Sequence, residues 1–351
     1  MRVLDSVLDT SQQLVTYVAR TVAATLLSPS SDLSLGSLLV ALAMAAAWLA
    51  RRHLARGLPI RAAALGRMLF PRSWWWSASS RLDVRLLLLN LLVFSVILGG
   101  AVLSHRLFSD GVGTLLLGAL GPPRPLGLPD FAGAAILTVA LFVAYELAYW
   151  IYHYLSHTVP ALWELHKVHH SAEVLTPLTN SRVHPLEGAL FLNMIAVFLG
   201  TTDGVVTYLL GAPVHPFTIA GGNLLVVLGT YLIAHLHHTH VWIAFTGVWG
   251  RILISPAHHQ IHHSTNPIHF NKNMGSVLAV WDWLFGTLHI PETKRERLTF
   301  GIGDGEVTEH TVAQELLRPV HALAALAGGA GRGQSTAAPV AIAGDQLAAK
   351  P

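Results

Sequence analysis

The sequence predicts an all-α protein: an integral membrane helical bundle of about four to five hydrophobic spans or re-entrant hairpins, with a histidine-rich cap on the cytoplasmic side. Of its 351 residues, 52% are hydrophobic and only 12% are charged, whereas soluble domains carry about 25% charged residues. Apolar runs approach the length of about 20 residues that a bilayer requires. Most of the 21 histidines lie between residues 153 and 263, just beyond the ends of such runs.

The orientation in the membrane is predicted from a basic loop in the N-terminal transmembrane region, residues 33–129. Apolar runs at 33–50 and 86–103 predict two spans. The intervening residues 51–85 carry eight arginines and a single acid, Asp83. Because positively charged loops stay on the cytoplasmic side, we expect this loop to be cytoplasmic.

Residues 130–300 form the second predicted region. A third span over 131–152 returns the chain to the cytoplasm. Apolar runs at 186–211 and 217–236, broken by GAPVHP, predict a helical hairpin that enters and leaves on one side. The mixed segment 241–300 predicts a cap. All the histidine motifs then lie on one side of the membrane.

The two ends of the chain differ from this central part. Residues 1–32 place valine and leucine near helical spacing, which predicts an amphipathic helix at the membrane surface. Residues 301–351 become rich in alanine and glycine after about residue 318, and we expect a largely disordered C-terminal tail.

The histidines follow a regular spacing. HYLSH at 153–157 places two histidines at i, i+4, and HKVHH at 166–170 places three at i, i+3, i+4. HHQIHH at 258–263 repeats the second pattern with one more histidine in front. Residues three and four apart share one face of a helix. Each motif therefore directs several imidazoles at one region.

This spacing predicts a di-metal cap. Neutral imidazole binds iron, zinc and copper. A structural zinc site needs only about four ligands, so eight or more histidines suit two metal ions better. The chain contains no cysteine, so no thiolate contributes.

The order of these motifs resembles the fatty acid hydroxylase and sterol desaturase superfamily of integral-membrane di-iron oxygenases. The boxes HYLSH, HKVHHS and HHQIHHS occur in the family's order. SRVHPLE after the second box and NPIHFNKNMGSVLAVWDWLFGTL after the third are similar to its flanking segments. The resemblance covers roughly residues 130–290.

The resemblance implies that residues 130–300 are a catalytic domain holding two iron ions. It implies an O2-dependent hydroxylase or desaturase that takes a lipid from the bilayer, a fatty acyl chain, sterol or related isoprenoid, and receives electrons from a separate electron-transfer protein. The location implied is a cell membrane, with the site on the cytoplasmic side. Spacing and resemblance together give ten candidate metal ligands: His153, His157, His166, His169, His170, His184, His238, His259, His262 and His263.

Several roles stay open at this point. Four further histidines are either ligands or neighbours of ligands: His235, His237, His240 and His258. Ligating imidazoles usually donate their second N–H to a carboxylate or carbonyl. The candidate partners are Glu146, Glu164, Glu173, Glu187, Asn273 and Asp282.

Two other functions remain as alternatives. A zinc-dependent membrane hydrolase would use the same histidines, although the HExxH pattern is absent. A metal transporter or sensor would place ionisable residues along the spans rather than beyond their ends. The basic residues do not interleave with aromatics, so nucleic acid is not an expected partner. The sequence does not choose between hydroxylation and desaturation.

Overall fold

The computed structural model describes residues 2–31, 33–93, 103–302 and 311–328, and these residues form mainly α-helices. The prediction of an all-α protein is confirmed, since the only paired strands among them are β1, Thr218–Ile219, and β2, Gly222–Asn223. The helices are α1 Arg2–Leu27, α2 Leu35–Leu54, α3 Ala62–Leu69, α4 Arg72–Trp75, α5 Ala78–Val93, α6 His105–Leu120, α7 Asp130–Thr158, α8 Pro160–His170, α9 Pro185–Leu210, α10 Leu224–Leu232, α11 Gly247–Ile252, α12 Pro256–His262, α13 Val280–Leu284 and α14 Val312–Ala327.

Three helices in the described part of the chain, α2, α7 and α9, are long and apolar enough to cross a membrane. They correspond to the spans predicted at 33–50, 131–152 and 186–211. Half of the predicted span at 86–103, residues 94–102, lies outside the described residues. Helix α10 has only nine residues, about 14 Å. The total number of spans therefore stays a prediction.

Helix α7 carries the first histidine motif, residues 153–157, in its last turns. Its 29 residues extend about 43 Å, more than the roughly 30 Å of a bilayer core, which leaves length for its C-terminal turns to lie past the apolar part. Val159 ends α7, and Pro160 occupies the first position of α8, where a missing N–H costs nothing. The chain therefore turns at once, and the second histidine motif lies against the first.

The chain turns between α9 and α10 at the end of α7 that is opposite to its histidines. Asn223 caps α10 by accepting from Leu225 N and Val226 N, and its amide donates to the Thr138 carbonyl of α7 at 3.0 Å. A short 3-10 helix, Ala234–Leu236, comes after α10. Helix α10 and this 3-10 helix thus bring residues 235–240 back to the end of α7 that carries the histidines.

Helix α6 packs closely along α9. A methyl group added at Gly200 would lie 2.2 Å from the His105 carbonyl oxygen, and one at Gly204 would lie 2.6 Å from that of Ser109. Only glycine permits this approach, a pattern usual for helices packed in membranes. Ser109 also donates to Asp203 at 2.6 Å, which satisfies a carboxylate within an apolar helix.

The predicted tail differs from expectation in one part. Residues 312–327 form α14, which packs on α8 and α5. Residues 303–310 and 329–351 lie outside the described part of the chain, so the expectation of disorder there stays a prediction. Alanine, leucine and glutamate favour helix, which explains why this alanine-rich segment is ordered.

The fold generates a prediction about sidedness. We expect Ile60→Cys in the basic loop and Thr265→Cys after α12 to react with a membrane-impermeant thiol reagent from the same side. Ala212→Cys, in the hairpin turn, should react only from the opposite side. The chain has no native cysteine, so single-cysteine labelling of intact and opened membrane vesicles measures this directly. Labelling of positions 60 and 265 from opposite sides would contradict the topology.

Candidate metal centre

Five buried or half-buried histidines form one cluster, which we name the five-histidine cluster. They come from α7, α8 and α12, and one ring nitrogen of each lies within 4.8 Å of those of the others. Its members are His153, His157, His166, His170 and His262.

Four buried histidines form a second, four-histidine cluster. His238 Nε2 lies 3.1 Å from His169 Nε2, 3.1 Å from His263 Nε2 and 2.9 Å from His259 Nε2. His263 Nε2 and His259 Nε2 are 3.1 Å apart. Two nitrogens bound to one ion at about 2.1 Å are separated by about 3 Å. These spacings therefore match ligands that share one ion.

The two triplet motifs contribute to the clusters in reciprocal ways. In the 166–170 motif the i, i+4 pair joins the five-histidine cluster, and His169 joins the other. In the 259–263 motif the i, i+4 pair joins the four-histidine cluster, and His262 joins the other. Residues i and i+4 differ by only about 40° around a helix, whereas i+3 lies about 100° from i+4. One helix therefore supplies ligands to both clusters.

Hydrogen bonds to the second ring nitrogen orient three members of the five-histidine cluster. The Nδ1 of His153 contacts the Met274 carbonyl at 2.8 Å, and that of His262 contacts the Lys272 carbonyl at 2.8 Å. His166 Nδ1 contacts Glu187 Oε1 at 2.5 Å. In each case Nδ1 donates, which leaves the Nε2 lone pair for a metal.

Glu187 is the partner predicted from sequence that contacts a ring nitrogen of a cluster histidine. The other two contacts come from the backbone carbonyls of residues 272 and 274, which composition does not reveal. Asn271 and Asn273, both with φ of +57°, turn the chain there. Asparagine tolerates this left-handed conformation.

Two other acids that the sequence offers as partners of ligand histidines instead bind backbone N–H groups of residues 274–278. Asp282 accepts from the backbone N–H groups of Met274 and Gly275, both at 2.8 Å. Glu146 accepts from Val277 N at 2.9 Å and Leu278 N at 2.7 Å. These bonds join α7 and α13 to the segment whose carbonyls orient the cluster.

His184, a candidate ligand from the sequence, lies in neither cluster. It is the N-cap of α9, where its Nδ1 accepts from Leu186 N at 3.2 Å. Its Nε2 donates to the Leu316 carbonyl at 3.2 Å. Both ring nitrogens are thus used in backbone hydrogen bonds.

The four histidines left open by the sequence also lie outside both clusters. His258 uses both nitrogens, with Ser255 at 2.6 Å and the Gly250 carbonyl at 3.1 Å. His240 donates to the Met68 carbonyl at 2.6 Å. His235 and His237 line a cavity beside the clusters.

This cavity has a volume of about 650 Å³ and reaches both clusters. Its walls come chiefly from α1, α5, α7 and α9. His153 and His166 of the five-histidine cluster face it, as do His169, His238 and His259 of the four-histidine cluster. A molecule held between these helices would therefore meet both groups of imidazoles.

Four of the cluster histidines that lie outside the spanning helices are kept neutral by burial. Burial lowers the pKa of His169, His238 and His259 well below the usual value, and neighbouring histidines lower it further. Burial likewise lowers the pKa of His262 to about 3. Neutral imidazole is the form that binds metal.

The donor set fits metal ions. Buried ring nitrogens without a hydrogen-bond partner among the described residues occur in the five-histidine cluster, namely the Nε2 atoms of His157, His166, His170 and His262. A buried polar atom without a partner costs about 1–3 kcal/mol. Bound cations would satisfy these atoms, and imidazole suits iron and zinc alike.

Comparisons with known proteins agree with this geometry. Residues 138–287 match the family model for fatty acid hydroxylases. This segment of the chain is therefore similar to the fatty acid hydroxylase family. The resemblance predicted from the histidine boxes is thereby confirmed, and the matched residues contain all nine histidines of the two clusters.

Several curated relatives that the chain resembles have names that refer to lipids. The chain is 28% identical to human (Homo sapiens) alkylglycerol monooxygenase over 164 residues, 46% of this chain and 32% of the relative. It is 26% identical to a putative Delta(7)-sterol-C5(6)-desaturase 2 of Arabidopsis thaliana, over 46% of this chain and 51% of the relative. It is 30% identical to a cholesterol 25-hydroxylase-like protein of Danio rerio, over 43% and 54%.

The aligned region thus spans about a third of the first relative and about half of the other two. No solved structure gives a significant match.

The buried neutral histidines generate a prediction about pH. In the unfolded chain each titrates near 6.5, whereas in the folded, metal-free protein it stays neutral well below that value. Below pH 6.5 the unfolded state therefore binds more protons, and the free energy of unfolding falls by about 1.4 kcal/mol per pH unit for each such histidine. The stability is fully present above pH 6.5 and is lost as the pH falls below it.

Thermal unfolding of the metal-free protein in detergent, measured between pH 7.5 and 5.5, should show a steep fall in melting temperature. The doubly substituted His259→Gln, His263→Gln protein should show a shallower fall, because two of the titrating groups are gone. A melting temperature independent of pH over this range would show that these histidines are not buried in neutral form.

Proposed function

We propose that this chain is a membrane-bound di-iron oxidoreductase that uses O2 to hydroxylate or desaturate a C–H bond of a lipid. The nine histidines of the two clusters are the proposed ligands, with one iron in each cluster. His184 is left out of this set, because both its ring nitrogens are hydrogen-bonded to backbone atoms.

The observation that carries the proposal is the cavity that runs between apolar helices and ends on both clusters. Tyr149 and Phe191 form an aromatic wall beside the five-histidine cluster, with Tyr149 5.6 Å from the ring of His153. Such walls hold an apolar chain and exclude water. A lipid entering from the bilayer would then reach the metal centre without crossing the aqueous phase.

The imidazoles of the two clusters would hold two irons, which would supply the reduction of O2 and the oxidation of an unactivated C–H bond. The chain's own residues hold and orient the ligands. Glu187 keeps His166 in one tautomer, and the carbonyls of residues 272 and 274 do the same for His262 and His153. Orienting contacts of this kind govern metal affinity.

The relatives' names refer to an alkylglycerol and to sterols, which supports lipids as the substrate class. The proposed substrate is a fatty acyl chain, a sterol or a related isoprenoid. The reaction requires electrons from outside, and we propose a separate electron-transfer protein as donor. The arginines of residues 51–85 support a multi-pass arrangement in a cell membrane with the clusters on the cytoplasmic side.

A zinc-dependent hydrolase is the alternative that the same ligands permit. It would need a carboxylate placed to act as a general base on water, as in zinc proteases. The carboxylate in contact with a cluster histidine, Glu187, is hydrogen-bonded to His166. A transporter would need a path of ionisable groups along the spans, whereas both clusters gather at one end of α7.

The proposal predicts that protein produced with excess iron binds two irons per chain and forms an oxidised lipid product only with O2 and reductant. We expect His170→Gln and His263→Gln, one from each cluster, each to lose activity by at least about 100-fold and to lose tightly bound iron. Membrane insertion should persist, because internal backbone hydrogen bonds and apolar packing hold the spans.

The matched control is His321→Gln, an exposed position on α14, which should keep both iron and activity. Lipid profiling by mass spectrometry, in cells with and without the protein, identifies the product, and elemental analysis counts the metal. Zinc in place of iron, with a product formed without O2, would favour the hydrolase. Full iron and activity in both cluster variants would refute the proposed ligand set.

A further inference from the structure

We infer that helix α14 is a clamp that fixes the last turn of α8, acting through Arg182 and His184, and so keeps His169 and His170 directed at the two metal sites. Arg182, His184 and Glu315 then serve as positioning residues. The inference rests on the proposed function, because it assigns α14 a role in metal retention.

The guanidinium of Arg182 holds the end of α8. Arg182 is fully buried. Its Nε donates to the Val168 carbonyl at 3.0 Å and to Ser171 Oγ at 3.1 Å, and its Nη2 donates to Ser171 Oγ at 2.8 Å. Val168 and Ser171 flank His169 and His170, so these bonds fix the backbone on both sides of the two ligands.

Two acids from distant parts of the chain compensate this buried cation. Asp83 of α5 accepts from Arg182 Nη1 at 3.0 Å. Glu315 of α14 lies 3.6 Å from Nη2 and accepts from Ser171 Oγ at 3.2 Å. A buried charge is tolerated only when paired and hydrogen-bonded. Helix α14 therefore completes the network that Arg182 makes at the end of α8.

His184 makes a second connection to the same helix. Its Nε2 donates to the Leu316 carbonyl at 3.2 Å, while its Nδ1 caps α9 at Leu186 N. Arg182 and His184 are two residues apart and both contact adjacent positions of α14, 315 and 316. The R-V-H segment that resembles a family motif thus joins α8, α9 and α14.

The need for such a clamp arises from how His169 is held. The rings of His153, His166 and His262 have a hydrogen-bond partner on Nδ1. The Nδ1 of His169 is buried and has none among the described residues. Its direction is therefore set by the α8 backbone, and a movement of that turn would displace one ligand of each cluster.

The experiment compares four proteins with the wild type. Glu315→Gln keeps the size and an oxygen acceptor for Ser171 but removes the charge opposite Arg182. A chain ending at residue 310 removes α14 altogether. The matched controls are His321→Gln, on the exposed face of α14, and a chain ending at residue 328, which keeps α14 and removes only residues 329–351.

Two measurements are made on the full set in detergent. Iron-loaded protein is mixed with excess chelator, and the rate of iron release is recorded. Metal-free protein is exposed to D2O, and amide exchange of the α8 peptide is compared with that of α9. We expect Glu315→Gln and the 310 truncation to release iron about 10- to 100-fold faster, the cost usual for losing a group that orients ligands. Exchange should rise in α8 and stay unchanged in α9 beyond its first turn, where His184 contacts α14, and both controls should match the wild type.

Unchanged α8 exchange in both Glu315→Gln and the 310 truncation would overturn the clamp, as would unchanged iron release in both. If the wild type itself retains no iron, the proposed function fails, and α8 exchange in the metal-free proteins still decides whether α14 holds α8. Equal increases in α8 and α9 exchange would indicate general unfolding and would also count against the clamp.

Discussion

The structure depends on burying many imidazoles in neutral form at one end of an apolar helical bundle. Nine ring systems converge within two small volumes, and several of their nitrogens lack any partner in the described part of the chain. Left unpaired, such atoms oppose folding, and protonation would place charges in a region of low dielectric. Coordination of cations would resolve both problems, so the histidine arrangement and the proposed metal binding are one constraint.

The rest of the fold serves this constraint. The length of α7 leaves room for its last turns to lie beyond the apolar layer, and Pro160 directs α8 back against it. The short α10 returns residues 235–240 to the same end. The loop with Asn271 and Asn273 offers two carbonyls to His153 and His262, and Asp282 and Glu146 hold that loop in place. The cavity then joins the apolar helices to the imidazoles.

Much of the fold and site could be predicted from sequence, because the decisive patterns are local. Apolar runs of spanning length predicted α2, α7 and α9, and i, i+3, i+4 spacing identified most of the clustered histidines. Which cluster each histidine joins could not be predicted, since that depends on how α8 and α12 face each other. The spacing of the histidines also did not predict the role of His184 as the N-cap of α9, although one local signal indicates it. The Pro185 immediately after it is a helix-start signal, and this local signal favours a cap.

The carbonyl partners at residues 272 and 274 could not be predicted, because every residue has a carbonyl and only the fold selects two. Helix α14 could not be predicted, because the alanine- and glycine-rich composition around it indicates a disordered tail. Its Glu315 acquires meaning only beside Arg182 and Asp83, which lie more than 100 residues earlier in the chain.

The most direct test of the two-metal arrangement is an anomalous diffraction map recorded at the iron edge from crystals of the iron-loaded protein. We expect two peaks, one within reach of His153, His157, His166, His170 and His262, and one within reach of His169, His238, His259 and His263. A single peak, or peaks located away from these nitrogens, would contradict it.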